Sequence, residues 1–300
     1  MLKIAWSEIY AHPLPENHRF PMEKYNLLPE QLMYEGTITS SNLFAPSPLP
    51  ESEILKIHTA DWWDKLKFGT ITDKEARVTG FPYSKHLVER EITIMNGTVM
   101  AAFDALNSGV GFNIAGGTHH AFTNRGEGFC LLNDIALAAS ALLHQTGIKK
   151  ILVVDLDVHQ GNGTAEIFKN DKRVFTFSMH GKNNYPHRKE QSDLDVPLMD
   201  GTDDKTYLNL LDNYLKTLVD DFQPEFIFFQ SGVDVLATDQ LGKLNLTIDG
   251  CKKRDQLVFS IAHQNKIPIA VSMGGGYSKK ISDIVEAHAN TFRLAQDIYF

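Results

Sequence analysis

From residue 110 onward, short runs of consecutive apolar residues alternate with longer segments in which apolar positions recur every three or four. The runs VGFNIAG, KKILVVDLDV, RVFTFSMH, EFIFFQSGVD and IPIAVSMGGG are too short for helices. They also lack the in–out alternation of a strand with one wet face, so they read as strands buried on both sides. Between them, NDIALAASALLHQTG, DKTYLNLLDNYLKTLVDDF, DGCKKRDQLVFSIAHQN and KKISDIVEAHANTFRLAQDIY read as amphipathic helices, the first with Asn133 as N-cap and Gly147 as its stop. This pattern predicts an α/β fold: a parallel sheet covered by helices on both faces, in a single three-layer domain spanning residues 1–300. Residues 1–50 break the pattern. Proline punctuates HPLPENHRFP and FAPSPLPESE, so this stretch is expected to wrap the domain as an irregular segment with short helices. In TADWWDKL the expectation is a helix packing its tryptophans on the sheet.

An open α/β sheet collects its chemistry at the carboxyl ends of its strands. Four of the predicted strands run out into reactive residues there: His119 and His120, then Asp155, Asp157 and His159, then Asp234, then Tyr277. Composition adds boundaries rather than content. The 43% apolar and 22% charged residues suit a globular enzyme, and no repeat, linker or low-complexity tract divides the chain. A net charge of −8 argues against a nucleic-acid surface and is compatible with a cationic substrate. Two cysteines, Cys130 and Cys251, are too few for a disulfide framework or a thiolate zinc site. No apolar run suits a signal peptide or approaches the roughly 20 residues of a membrane span, so a cytoplasmic protein without membrane contact is expected.

ILVVDLDVHQGNGTAE places Asp155, Asp157 and His159 at alternate positions, on one side of an extended chain. The spacing, with Glu166 at the twelfth position, mimics a calcium loop. That reading fails because Gln160 stands where a sharp turn needs Gly and because the flank reads as strand, not helix. A nitrogen and oxygen donor set without cysteine suits zinc, with Fe2+ as a possible substitute. Asp234, from a neighbouring strand end, is the best third ligand. A two-metal hydrolase needs more carboxylates; binuclear arginase-like enzymes, which share this kind of sheet, carry another aspartate two positions before the equivalent of Asp234, where this chain has Gly232. One metal on Asp157, His159 and Asp234 follows, with Asp155 left to orient an imidazole. The His119–His120 pair in GGTHHA supplies acid/base chemistry, and Tyr277 after GGG is placed to donate to an oxyanion. Together these describe amide hydrolysis without a nucleophilic Ser or Cys.

GGTHHA, GEGFCLLND, VDLDVHQGNGT, SGVDVLATDQLGKL and GGGY resemble, in order and spacing, the signature of the zinc-dependent histone deacetylase superfamily across nearly the whole chain. HQGNG, GTDDKTYL, DQLGKLNL and GCKKRDQLVF are most similar to its class IV branch. The resemblance implies an arginase/deacetylase-like fold with a central parallel sheet of about eight strands, and removal of acyl groups from the ε-nitrogen of lysine in a protein or peptide. It implies zinc on Asp157, His159 and Asp234, His120 as general base and acid, His119 as an electrostatic partner linked to Asp155, and Tyr277 as the carbonyl-polarising donor. It further implies an acyl-lysine channel lined by Gly128, Phe129, Tyr185, Gly275 and Gly276, and a structural potassium ion near Asp155, Asp157, His159, Ser178 and Met179. A second alkali site near Phe168 and Val174 is a further implication. One departure stands out: Asn162 occupies the position behind the second histidine where class I relatives place an Asp. Small-molecule amidohydrolysis of the acetylpolyamine type, a preference for long fatty acyl groups, and a non-catalytic acyl-lysine binder are the alternative readings.

Overall fold

A computed structural model describes all 300 residues. Eight strands form one all-parallel sheet: β1 (Ile4–Ala5), β2 (Leu43–Phe44), β3 (Val110–Asn113), β4 (Ile151–Asp155), β5 (Val174–Gly181), β6 (Leu194–Leu198), β7 (Phe226–Gln230) and β8 (Ile269–Ser272), in the order β2-β1-β3-β8-β7-β4-β5-β6. The five strands legible as apolar runs are the five central ones. Helices fall at α1 (Lys24–Tyr34), α2 (Glu51–Ile54), α3 (Ala60–Phe68), α4 (Asp73–Thr79), α5 (Lys85–Ser108), α6 (Asp134–Gln145), α7 (Asn162–Phe168), α8 (Asp204–Phe222), α9 (Ile248–Gln264) and α10 (Ile281–Tyr299). None is long and apolar enough to cross a membrane.

The central strands are apolar at every position because each face has its own core. Ile151 and Val153 of β4, with Phe226 and Phe228 of β7, join residues of α5 and α6 in one cluster. Their neighbours Leu152, Val154, Ile227 and Phe229 point the other way, into a larger cluster with α8, α9 and α10.

Three differences from the sequence expectation have local causes. The first 50 residues wrap the domain, but they also contribute β1, β2 and the 11-residue α1; two-residue strands are too short to show a pattern. Helix α5 was not expected, because Gly97 lies mid-helix and twelve of its 24 residues are buried, which blurs any single apolar stripe. Helix α6 is closed by Thr146, one residue before Gly147. Trp62 and Trp63 are buried on α3, Trp62 donating to the Leu131 carbonyl at 2.9 Å, with α3 lying against α5.

Two features of the sheet position the site. The chain steps outward from β4 to β5 and β6, then returns to lay β7 on the opposite side of β4 and β8 beyond it. Winding therefore reverses between β4 and β7, and the crevice outside such a reversal is where open α/β sheets bind ligands. In addition, the apolar strands end in register on buried polar residues: Asn113 pairs with Ser272, Ser272 with Gln230, Gln230 with Asp155 and Asp155 with Ser178.

Candidate active site

The reversal point brings Asp157, His159 and Asp234 together, with one donor atom of each within 4.8 Å of the others. Asp157 and His159 lie on the loop leaving β4, Asp234 on the loop leaving β7. His159 Nδ1 sits 3.1 Å from both Asp157 Oδ1 and Asp234 Oδ2. Backbone amides hold the carboxylates in place: Gly275 N–H donates to Asp157 Oδ2 at 2.8 Å and Val158 N–H to Asp234 Oδ1 at 2.9 Å. The cluster is almost wholly buried. Burial disfavours every charge in it, yet Asp157 and Asp234 outweigh burial at His159 and hold its pKa up at about 10, while burial and Asp157 raise Asp234 to about 7. Two buried carboxylates that must otherwise retain a proton between them are a donor set for a divalent cation. A β-carbon on Gly232 would lie 2.8 Å from Asp157 Cγ, so no side chain fits there without displacing Asp157.

The histidine pair lies beside this set, ring centroids 4.1 Å apart, but the two rings have opposite surroundings. His119 Nδ1 meets Asp155 Oδ2 at 2.7 Å. Burial opposes charge on His119, but Asp155 and Asp157 prevail and hold its pKa at about 9. His120 Nδ1 instead donates to the amide oxygen of Asn162, 2.6 Å away, and burial with His119 and His159 keeps its pKa well below 6.5. The Asn162 orientation is fixed from behind, where its Nδ2 faces Glu127 Oε2 at 3.5 Å. His120 is therefore neutral, with Nδ1 protonated and Nε2 left as a free base.

Tyr277 completes the cavity. Its backbone N–H donates to Asp239 Oδ2 at 2.6 Å. Burial and the nearby Asp157 and Asp234 push its pKa well above 10, so it remains a phenol able to donate. An inner cavity of about 40 Å3 is lined by His119, His120, Gly128, Phe129, Asp157, His159, Gly275 and Tyr277. It opens into a mouth of about 370 Å3 that shares His120, Gly128, Phe129, His159 and Tyr277 and adds Tyr185. The Tyr185 ring stands edge-on to His120 at 4.9 Å. Gly276, expected along the channel, is absent from both linings. A β-carbon there would meet the side chains of Val233 and Ile284, away from the cavity. Ser178 and Met179 lie buried on β5 next to Asp155.

Several residues that build the site were not singled out from the sequence. Asp134 is wholly buried and accepts from Thr98, Gly117 N, Thr118 N, Thr118 Oγ1 and Ser272, which fixes the GGTHH loop. Gln230 donates to the Gly117 carbonyl at 2.8 Å from the end of β7. Arg254 on α9, paired with Asp255, donates to the carbonyls of Leu156 and Gly232 and so ties together the two loops that carry Asp157 and Asp234. The proline-punctuated N-terminus delivers Phe20, 5.3 Å from Phe129 and 6.1 Å from Tyr277 between ring centroids. His12 and His18, in contrast, are engaged in hydrogen bonds with His86 and the Gly80 carbonyl. Cys251 is buried near the start of α9, and burial pushes the Cys130 thiol well up, so neither is an activated thiolate.

Lys24 is the least expected of these residues. It is fully buried, packs its ammonium 5.3 Å from the rings of Phe20 and Tyr25, and donates to the Gly274 carbonyl at 3.0 Å. Burial lowers its pKa to about 8, against the pull of Asp234 and Asp157. Lys24→Met is expected to destabilise the protein by about 1.5–3 kcal/mol, the worth of a hydrogen bond to a charged group, read as a lower urea midpoint. The loss should be larger in metal-free protein, where Asp157 and Asp234 would have one positive neighbour fewer. Equal midpoints for the variant and the parent would show that Lys24 does not hold the GGGY loop.

An all-parallel sheet with a buried Asp–His–Asp set at its reversal point, a histidine pair tuned apart and a phenol facing the same cavity points to a class, the hydrolases that can hold a metal ion on an α/β scaffold. Residues 18–292 match the Histone deacetylase domain, and the chain belongs to the histone deacetylase family of hydrolases. It is 43% identical over 297 residues to an uncharacterized protein of Picosynechococcus sp., covering 99% of both chains. It is 30% identical over 277 residues to Histone deacetylase 2 of Arabidopsis thaliana, covering 89% of this chain and 72% of that one. The crystal structure of a histone deacetylase homologue from Aquifex aeolicus superimposes with a TM-score of 0.82 at 26% identity, covering 97% of this chain and 82% of the other.

Proposed function

We propose that the protein is a zinc-dependent deacylase acting on the ε-amide of acylated lysine in a protein or peptide. The observation that carries this reading is the convergence of His120 Nε2, the Asp157–His159–Asp234 set and Tyr277 on one small cavity that opens through an aromatic-walled mouth. Asp157, His159 and Asp234 would hold zinc, or Fe2+ in its place, which would supply Lewis acidity to a water and to the acyl carbonyl oxygen. His120 takes the proton from the attacking water through Nε2, and the water oxygen adds to the acyl carbon. Tyr277 donates to the resulting oxyanion, His119 supports the developing charge, and the C–N bond breaks as His120 returns the proton to the leaving lysine amine. Gly128, Phe129 and Tyr185 enclose the lysine stem. Potassium near Asp155, Ser178 and Met179 belongs to the same reading as a structural ion, with the buried Asp155 carboxylate as its charged partner.

The inner cavity has room for about three water-sized groups, which fits an acetyl and excludes a long chain unless Phe20 or Tyr25 moves. Acetyl-, trifluoroacetyl- and myristoyl-lysine peptides should therefore be assayed beside acetylspermidine, with and without chelator. Turnover of acetyl-lysine peptides, abolished by chelation, is expected. Fast turnover of acetylspermidine alone would favour a small-molecule amidohydrolase, and no turnover despite full metal loading would leave a non-catalytic binder.

Asn162 predicts how the pH profile departs from relatives with a carboxylate there. Asn162→Asp places a negative charge 2.6 Å from His120 Nδ1, which stabilises the imidazolium and raises the His120 pKa. The base form then appears only at higher pH, so the acidic limb of kcat/KM is expected to move upward by about one pH unit or more. Superimposable profiles would show that Asn162 does not set the protonation of His120.

A further inference from the structure

The net charge of −8 does not describe the mouth of the site. Its lining includes Arg19 from the N-terminal segment, Arg77 from α4, His187 from the loop before β6 and Lys243 from the loop before α9, and it includes no carboxylate. Four separate segments thus bring the same sign of charge, or a group able to carry it, to one opening. The chain has eight arginines, and five of them, Arg90, Arg125, Arg173, Arg254 and Arg293, pair with carboxylates. Arg19 and Arg77 are exposed and in no ion pair, and Lys243 makes one hydrogen bond, to the Asn183 carbonyl at 3.1 Å. Arg188, also exposed and unpaired, follows His187.

Two of the acids nearest this opening, Glu127 and Asp239, are already engaged. Glu127 accepts from Tyr185 Oη at 2.8 Å and from Arg125 Nε at 2.7 Å, behind the channel wall. Asp239 accepts from the backbone of Tyr277, Leu241 and Gly242. Asp73 borders the outer groove that Arg19 and Arg77 also line, but pairs with neither. Within the mouth itself a polyamine's second ammonium would therefore meet cations and no carboxylate, the single unpaired Asp73 lying in the outer groove, whereas acidic side chains on a polypeptide would meet unpaired guanidinium groups.

We infer that the mouth selects an acylated lysine set in an acidic stretch of polypeptide, with Arg19, Arg77 and Lys243 receiving carboxylates on the residues flanking that lysine. This rests on the lysine deacylase reading above and specifies its substrate class. Unpaired, solvent-facing cations around a recessed site attract such a segment over the whole opening, an effect that acts on encounter and binding and weakens with salt.

The test uses the metal-loaded protein and three acetyl-lysine peptides of equal length, flanked by Asp and Glu, by Ser and Gly, or by Lys and Arg, with acetylspermidine alongside. At about 0.05 M salt kcat/KM should fall in the order acidic, neutral, basic, with about tenfold or more between the extremes carried mainly by KM, and the spread should shrink at about 0.5 M. The double variant Arg77→Glu with Lys243→Glu should invert the order, and Arg77→Lys should preserve it. Turnover of the three peptides at equal rates, a preference for the basic peptide, or an order unchanged by charge reversal would overturn the proposal while leaving the deacylase reading intact. Turnover of acetylspermidine with none of the peptides would overturn both. Should the double variant not fold, the salt series on the parent protein decides the matter alone.

Discussion

His120→Ala is expected to lower kcat by about 10²–10⁴-fold, the span usual for loss of a positioned general base, while metal content and thermal midpoint stay close to those of the parent. The argument rests on the difference between two adjacent imidazoles. His119 faces the Asp155 carboxylate and is held at a pKa of about 9, so at neutral pH it is a cation. His120 faces an amide oxygen and is pushed well below 6.5 by burial and by positive neighbours, so it is a neutral base with Nε2 free. Neighbouring groups whose pKa values are driven apart are the ones to which distinct proton-transfer roles can be assigned. His119→Ala should accordingly cost less than His120→Ala and act without removing the acidic limb of the pH profile. Comparing single-turnover rates of both variants at saturating metal checks this. Equal losses would mean that the two rings act as one unit, and a His120→Ala enzyme within about tenfold of the parent would remove His120 from the chemistry.

The chemistry of the site was more legible in the sequence than the scaffold that holds it. Asp155, Asp157, His159, Asp234 and Tyr277 stand directly after continuous apolar runs, and a strand buried on both faces has to announce itself in that way. The edges of the sheet could not. β6 carries Pro197 and partly exposed residues, as an edge strand tolerates, and β1 and β2 are two residues each. The supporting residues were hidden for another reason. Asp134, Gln230, Lys24 and Arg254 each read singly as a surface or capping residue, and only the fold shows them buried and aimed at loop carbonyls and amides. Lys24 and Phe20 were least accessible, because the segment that carries them has no periodicity and reaches the site only by wrapping around the domain. The cationic mouth was hidden too: an overall charge of −8 averages away four positions that come from four segments.

Removing the metal is expected to abolish turnover and to lower the thermal midpoint, and the pH dependence of that loss follows from the charges at the site. A divalent ion held at about a thousand times its dissociation constant stabilises the folded chain by about 4 kcal/mol. Without it, His159 and Asp234 hold protons in its place, while, against burial, His119 and His159 keep Asp157 ionised. His159, raised to about 10, contributes stability that is fully present below the ordinary imidazole pKa of about 6.5 and is lost as pH rises toward 10. Asp234, raised to about 7, acts in the same direction between the ordinary carboxylate range and neutrality, since its folded form holds a proton that the unfolded chain has already released. These two groups should therefore make the chelated protein lose stability between about pH 4 and pH 10, whereas in the loaded protein they should give no such slope. Binding of the metal requires a neutral His159, with Nδ1 free between the two carboxylates, so loading at pH 8 should release about one proton. Calorimetric titration of the apoprotein with zinc in buffers of different ionisation enthalpy measures that number directly. Release of no proton, together with a flat stability profile for the chelated protein, would mean that Asp157, His159 and Asp234 are not the site at which the metal binds.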